Sequence, residues 1–129
     1  MSDNQLNPRS YRQPVEVTFT FPERIQTDLG YLSVTVRELK ASSEARALAR
    51  AGNDGAKLIT ELVKESVVCA TELDGTVARI STADETIEIF MDRLGPKGRT
   101  VLMAAYSNVN QPQQDEIADF LQSAKAVVR

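Results

Sequence analysis

At 129 residues, with 42% apolar and 26% charged side chains, the chain has the size and composition of one globular domain. Fifteen Lys and Arg against eighteen Asp and Glu leave a net charge of −3, with both signs spread along the chain and no basic footprint for nucleic acid. There is no His and Cys69 is the sole thiol, which excludes Ser-His-Asp and Cys-His catalysis, His-based zinc sites and any intrachain disulfide.

The longest apolar runs fall far short of the roughly 20 residues of a membrane span. The polar N-terminus has no hydrophobic signal core, so a soluble cytoplasmic product is expected. Residues 1–14 are polar and carry two prolines, which reads as an extended or flexible arm. Within it Tyr11, between Arg9 and Arg12, has the chemistry to anchor the arm in an acidic, apolar-floored groove.

Val15 to Phe21 alternates apolar and polar residues with the period of a half-buried strand, and Pro22 ends it. Tyr31 to Val36 is again β-branched and aromatic. Thr27-Asp28-Leu29-Gly30 offers turn chemistry between the two, which predicts an antiparallel hairpin. From Ala41 a helix capped by Ser42 or Ser43 runs through Glu44, Ala45, Leu48 and Ala49 to Gly52. A second follows Asn53-Asp54-Gly55, with Leu58, Ile59, Leu62, Val63 and, at its end, Val67 at helical spacing. The Asp74-Gly75 pair within Glu72 to Val77 marks either a short hairpin or a plain loop.

Thr82 and Glu85 form a capping box ahead of Ile87, Phe90, Met91 and Leu94, and Gly95-Pro96 stops that helix. Pro96 starts the next, whose Val101, Leu102, Ala105, Tyr106 and Val109 fall on one side. The last helix begins near Pro112, with Asp115 and Glu116 in its first turn, Lys125 and Arg129 near its end, and Ile117, Phe120, Leu121 and Ala124 as its stripe. Three consecutive helices on short loops are expected to fold back on one another. The predicted architecture is α+β: an antiparallel hairpin packed on a mainly helical bundle of about five helices. Beyond the arm, residues 15–129 form one domain, with a β-ribbon over 15–40 and a mainly helical part over 42–129.

Among groups that could carry chemistry, Cys69 reads as a small buried apolar residue, since no His is present to activate it. Glu85, Glu88 and Asp92 share one helical face with Asp84 nearby, a set that suits a hard cation only if a partner adds oxygens; as the solvated side of an amphipathic helix it needs no ligand. Gly95-Pro96-Lys97-Gly98-Arg99 has the wrong spacing and setting for a phosphate loop. A helix-turn-helix reading of 100–129 fails because Asp115, Glu116 and Asp119 would open the recognition helix and repel phosphates. No catalytic residue, metal site or cofactor is therefore expected. The basic residues Arg93, Lys97 and Arg99 cluster at a helix corner, where they read either as solvated charge or as a dock for an acidic partner segment.

Residues 90–124 combine a Leu94-Gly95-Pro96-Lys97 corner, an apolar helix ending in Ala104-Ala105-Tyr106, the turn Asn110-Gln111-Pro112 and an acidic helix, Glu116 to Leu121, closing on Phe-Leu. In these elements the chain resembles the C-terminal part of the tail assembly chaperones of tailed bacteriophages, and the N-terminal ribbon followed by Val36-Arg37-Glu38-Leu39 is similar in layout. The resemblance covers about a third of the chain well, in motifs that punctuate structure rather than carry chemistry. It implies a non-enzymatic protein of the host cytoplasm that coats the tape measure protein during tail assembly and self-associates. Phe90, Met91, Leu94, Leu102 and Tyr106 would then line a partner groove or, equally, form the monomer's own core. The alternative is a small structural virion protein of the neck, tail or baseplate with its N-terminal arm as a lacing strand.

Overall fold

In the computed structural model, which describes residues 13–124, the chain begins with β1 (Glu16–Thr20), where Glu16, Thr18 and Thr20 point to solvent and Val17 and Phe19 are half-buried. β1 pairs antiparallel with β2 (Tyr31–Arg37), as the alternation predicts. The connection is a helix and not the predicted turn. α1 (Glu23–Leu29) starts after Pro22 and ends on Gly30, whose N–H bonds the Gln26 carbonyl at 2.8 Å. Phe21, Ile25 and Leu29 recur every four residues, so one turn of helix after another carries them into the core, and the Gln26 amide donates to the Phe21 carbonyl at 2.9 Å. Turn composition at Thr27 to Gly30 was outweighed by that spacing.

After α2 (Ala41–Ala51) and α3 (Gly55–Ser66) the chain passes with no loop into β3 (Val67–Glu72), and a tight turn leads to β4 (Val77–Arg79). Val67 is therefore a strand residue and not the end of the second helix. The run Val67-Val68-Cys69 is β-branched and small, and the Ser66 hydroxyl closes the helix end by donating to the Val63 carbonyl at 2.6 Å. Of the two readings of Glu72 to Val77, the hairpin is the one formed: Glu72 N–H reaches the Thr76 carbonyl at 2.8 Å, and Thr76 N–H reaches the Asp74 carboxylate at 2.9 Å. The sheet thus has four strands in the order β1-β2-β3-β4, all antiparallel, where a two-stranded ribbon over 15–40 was predicted.

One sheet face carries Phe19, Val34, Ala70 and Ala78 in register and packs against the helices. The opposite face presents the row Thr18, Thr35, Cys69, Arg79 and, beside it, Thr20, Ser33, Thr71, Val77. Thr18 and Thr35 share a hydroxyl hydrogen bond of 2.8 Å across the strands. Cys69 accordingly lies half-exposed among hydroxyls and is not one of the buried apolar residues.

α4 (Thr86–Asn110) lies against β2 and supplies Ile87, Phe90, Met91, Leu94, Leu102, Ala105 and Tyr106 to the core. It is bent where the sequence predicts a stop. Gly95 adopts φ 63°, ψ −175°, a region closed to residues with a Cβ, and Pro96 restarts the helix. Arg99 reaches back across the break and donates to the Met91 carbonyl at 3.0 Å. The predicted Thr82 cap does not form. Asp84 accepts from the Thr86 N–H at 2.9 Å and from its hydroxyl, while Thr82 donates to Glu65 at 3.2 Å. At α2 neither Ser42 nor Ser43 caps the helix: Lys40 holds the N-cap position, and Ser43 is buried with its hydroxyl accepting from Arg46 at 3.0 Å.

Where α4 ends, Asn110 ties it to the loop after β2. Its side-chain oxygen accepts from the Leu39 N–H at 2.8 Å, and its amide nitrogen donates to the Arg37 carbonyl at 3.1 Å and the Tyr106 carbonyl at 3.2 Å. α5 (Gln114–Gln122) then departs from the expectation of three mutually packed helices, because it buries none of its residues. Gln111 and Gln113 are both extended around Pro112, which ends α4, and Glu116 closes a capping box on Gln113 that starts the new helix at once. Lys125 and Arg129, read as completing this helix's dipole, lie outside the described residues, as do Tyr11, Arg9 and Arg12 of the arm.

Candidate partner-binding surface

Eight residues were expected to form the partner site, and the structure divides them. Phe90, Met91, Leu94, Leu102 and Tyr106 are buried in the core, where Phe90 meets Tyr31 edge to face at a ring separation of 5.0 Å. They hold α4 to the sheet, and of the five only Met91 also lines a groove. Burial, with a smaller contribution from the Glu44 charge, pushes the Tyr106 hydroxyl above its ordinary pKa. The basic three stay on the surface but do not act as one cluster. Arg93 donates to the Tyr31 hydroxyl at 3.3 Å and lies 3.8 Å from Glu72. Arg99 is engaged with the Met91 carbonyl, and Lys97 is exposed.

The α4 bend does create concave apolar surface beside those buried residues. On one side of the ridge made by Pro96 and Thr100 is a groove of about 310 Å³ floored by Val63, Met91 and Met103, with Arg99 at its rim. On the other side is a groove of about 290 Å³ floored by Pro22, Ile25 and Val101, with Arg24 and Lys97 at its rim. The close approach that sets this shape is made at Gly98, where an added Cβ would fall 2.8 Å from Leu94 Cβ and 2.9 Å from Leu29 Cδ2. Apolar floors with cationic edges suit an amphipathic helix that carries acidic flanks.

The second exposed apolar feature is α5. Ile117, Phe120 and Leu121 fall at i, i+3 and i+4 on one face, and Phe120 and Leu121 remain 74% and 65% exposed. Together they form an exposed apolar face on a helix that buries none of its residues.

Larger hollows, of about 400 and 450 Å³, open near Lys40 and Arg79, but they are polar, and Arg46, Lys64 and Glu65 of their linings are paired within the fold. The pairing centres on Glu65, whose side chain is 0% exposed and accepts from Arg46 at 3.2 Å, Arg50 at 2.8 Å and Thr82 at 3.2 Å. Glu61 is bound by Arg50 at 2.5 Å and Lys64 at 3.1 Å, and Lys64 continues to Glu88 at 2.9 Å. Burial alone would raise both carboxyls, but the hydrogen bonds and charges of these cations outweigh it and hold Glu61 and Glu65 below the ordinary carboxylate range. The network clasps α2 to α3 above a stripe of small residues, Ser43, Ala47 and Ala51. Sequence reading placed Leu48 and Ile59 on the inner faces instead, and both are exposed. The available signal was two i, i+4 pairs of opposite charge, Arg46/Arg50 and Glu61/Glu65, on adjacent helices.

Glu85, Glu88 and Asp92 are exposed, and among the described residues no three His, Cys, Asp or Glu converge to hold a metal ion. No described helix is long and apolar enough to cross a membrane. No family model, curated protein or solved structure matches the chain.

Proposed function

We propose that this chain is a non-enzymatic tail assembly chaperone of a tailed phage, acting in the host cytoplasm by binding helical segments of the tape measure protein and releasing them as the tail tube assembles. The observation that carries a protein-binding role is the pair of apolar grooves astride Pro96 and Thr100, edged by Arg24, Lys97 and Arg99. Each groove is shallow and admits one or two apolar side chains of a passing helix. Such contacts are individually weak, and a coat that must later be stripped off needs many weak contacts rather than a few strong ones. The tail-specific part of the reading comes from the resemblance of residues 90–124.

Co-expression with a tape measure protein, followed by pull-down and mass spectrometry of purified virions, tests it. The chaperone reading expects co-purification at micromolar concentration, loss of it in Met103→Asp, and absence of the chain from virions. Among the described residues β1 pairs only with β2, and that outer edge favours the second reading of a structural virion subunit that adds a neighbour's strand. That reading expects the chain in virions at fixed stoichiometry.

A further inference from the structure

We infer that in the free protein two copies exchange their α5 helices, each seating Ile117, Phe120 and Leu121 on the paired grooves of the other. The chain carries both halves of the contact. One is a helix with an uncovered apolar stripe, and the other is an apolar surface of matching scale that no described segment occupies. Charge agrees. Between Gln114 and Gln122 there are three acids, Asp115, Glu116 and Asp119, and no base, whereas the groove rims carry Arg24, Lys97 and Arg99. Glu116 stands beside Phe120 at the border of the stripe, which places it against a rim when the stripe is down; Asp115 and Asp119 lie farther round and add to the field.

Geometry selects a second copy over the chain's own α5. From Asn110 back to Thr100 is about 15 Å along α4, whereas Phe120 lies only about 9 Å from the start of α5, by the rise of an α-helix. Folded back on its own α4, the stripe would reach the Met103 end of one groove but stop short of Thr100 and of the other groove, so it could not seat on both. Nor does α5 bury any of its residues against its own chain. A helix from another copy is under no such tether. Because each copy offers one helix and one grooved ridge, a reciprocal exchange satisfies both and closes as a two-fold dimer. The inference concerns the chain alone and holds or fails independently of any tape measure partner.

Sedimentation equilibrium of the full chain, from low to a few hundred micromolar, is expected to show a monomer–dimer equilibrium. In Phe120→Ser/Leu121→Ser the dissociation constant should rise at least about tenfold, with an unchanged circular dichroism spectrum, since neither residue supports the fold. Lys97→Glu should weaken the dimer, and added salt should weaken the wild-type dimer in the same sense. In a Cys69→Ser background, Leu121→Cys mixed with Thr100→Cys should form a disulfide-linked heterodimer under mild oxidation. A wild-type chain that stays monomeric throughout overturns the inference. So does a dimer indifferent to the Phe120/Leu121 change, which would place the contact on another face. A Leu121→Cys/Thr100→Cys double variant that closes its bridge within one chain, without dimers, would overturn it in favour of own-chain docking.

Discussion

Replacing Glu65 with alanine should be among the most damaging single changes available on α3. The carboxylate is fully enclosed and accepts from Arg46, Arg50 and Thr82, so its loss strips an acceptor from three donors at once. Breaking a buried ion pair from one side costs about 3–5 kcal/mol. Here the two guanidinium groups are 55% and 36% exposed and can turn to water, which lowers the expected loss to about 2–3 kcal/mol. The better helix propensity of alanine offsets a few tenths of that. For a domain of this size such a loss lowers Tm by about 6–15 °C. Urea unfolding followed by circular dichroism near neutral pH measures it, with Glu88→Ala as the comparison. Glu88 is well exposed and holds Lys64 from the solvent side, so its removal should cost no more than about 0.5 kcal/mol. The reasoning is refuted if Glu65→Ala unfolds within that same margin of wild type, or no earlier than Glu88→Ala.

Acid should weaken the same clasp. Glu61 and Glu65 titrate lower in the fold than in the unfolded chain, so their contribution is complete above the ordinary carboxylate range and is lost as pH falls through and below it. Urea midpoints across the acidic range should drop more steeply for wild type than for Glu65→Ala, and parallel curves would count against the assignment. Asn110→Ala should cost about 2–3 kcal/mol, because it leaves the Leu39 N–H and the Arg37 carbonyl without their partner; a urea midpoint close to wild type would contradict that. Gly95→Ala should cost about 1–3 kcal/mol through backbone strain alone, since open space surrounds the position. Gly98→Ala should also destabilise, by about 1–3 kcal/mol and for the opposite reason, collision with Leu94 and Leu29. Gly55→Ala, at the start of α3 with nothing near its Cβ, is the neutral reference for both in the same thermal melts.

Much of the architecture could be read directly. The period of two in Val15 to Phe21 and the β-branched run from Tyr31 gave β1 and β2, and the stripes after Thr86 and after Pro96 gave both arms of α4 with their break. What was missed shares a physical cause. α1 and β3 are short and fully coupled to tertiary packing, so local composition argued for a turn in one case and for continued helix in the other. Burial of Glu61 and Glu65 is invisible to any hydropathy pattern, because it depends on cations supplied by a different helix. The candidate surface was legible only as a neighbourhood. The sequence pointed to the Leu94 to Arg99 corner, but its apolar residues serve the interior, and the usable surface is formed by Met103, Val101, Ile25 and Pro22 around them.

The unbroken meander has a consequence for how the molecule is built. Each strand bonds to the one synthesised just before it, so the first three strands can assemble with α1 to α3 while translation is still in progress. Their inner face stays wet until Phe90, Leu94 and Leu102 arrive, and Asn110 is the last residue to bolt the lid to β2. A ribosome that pauses before that point would expose an unsealed sheet, and one that pauses after it would already hold a finished domain.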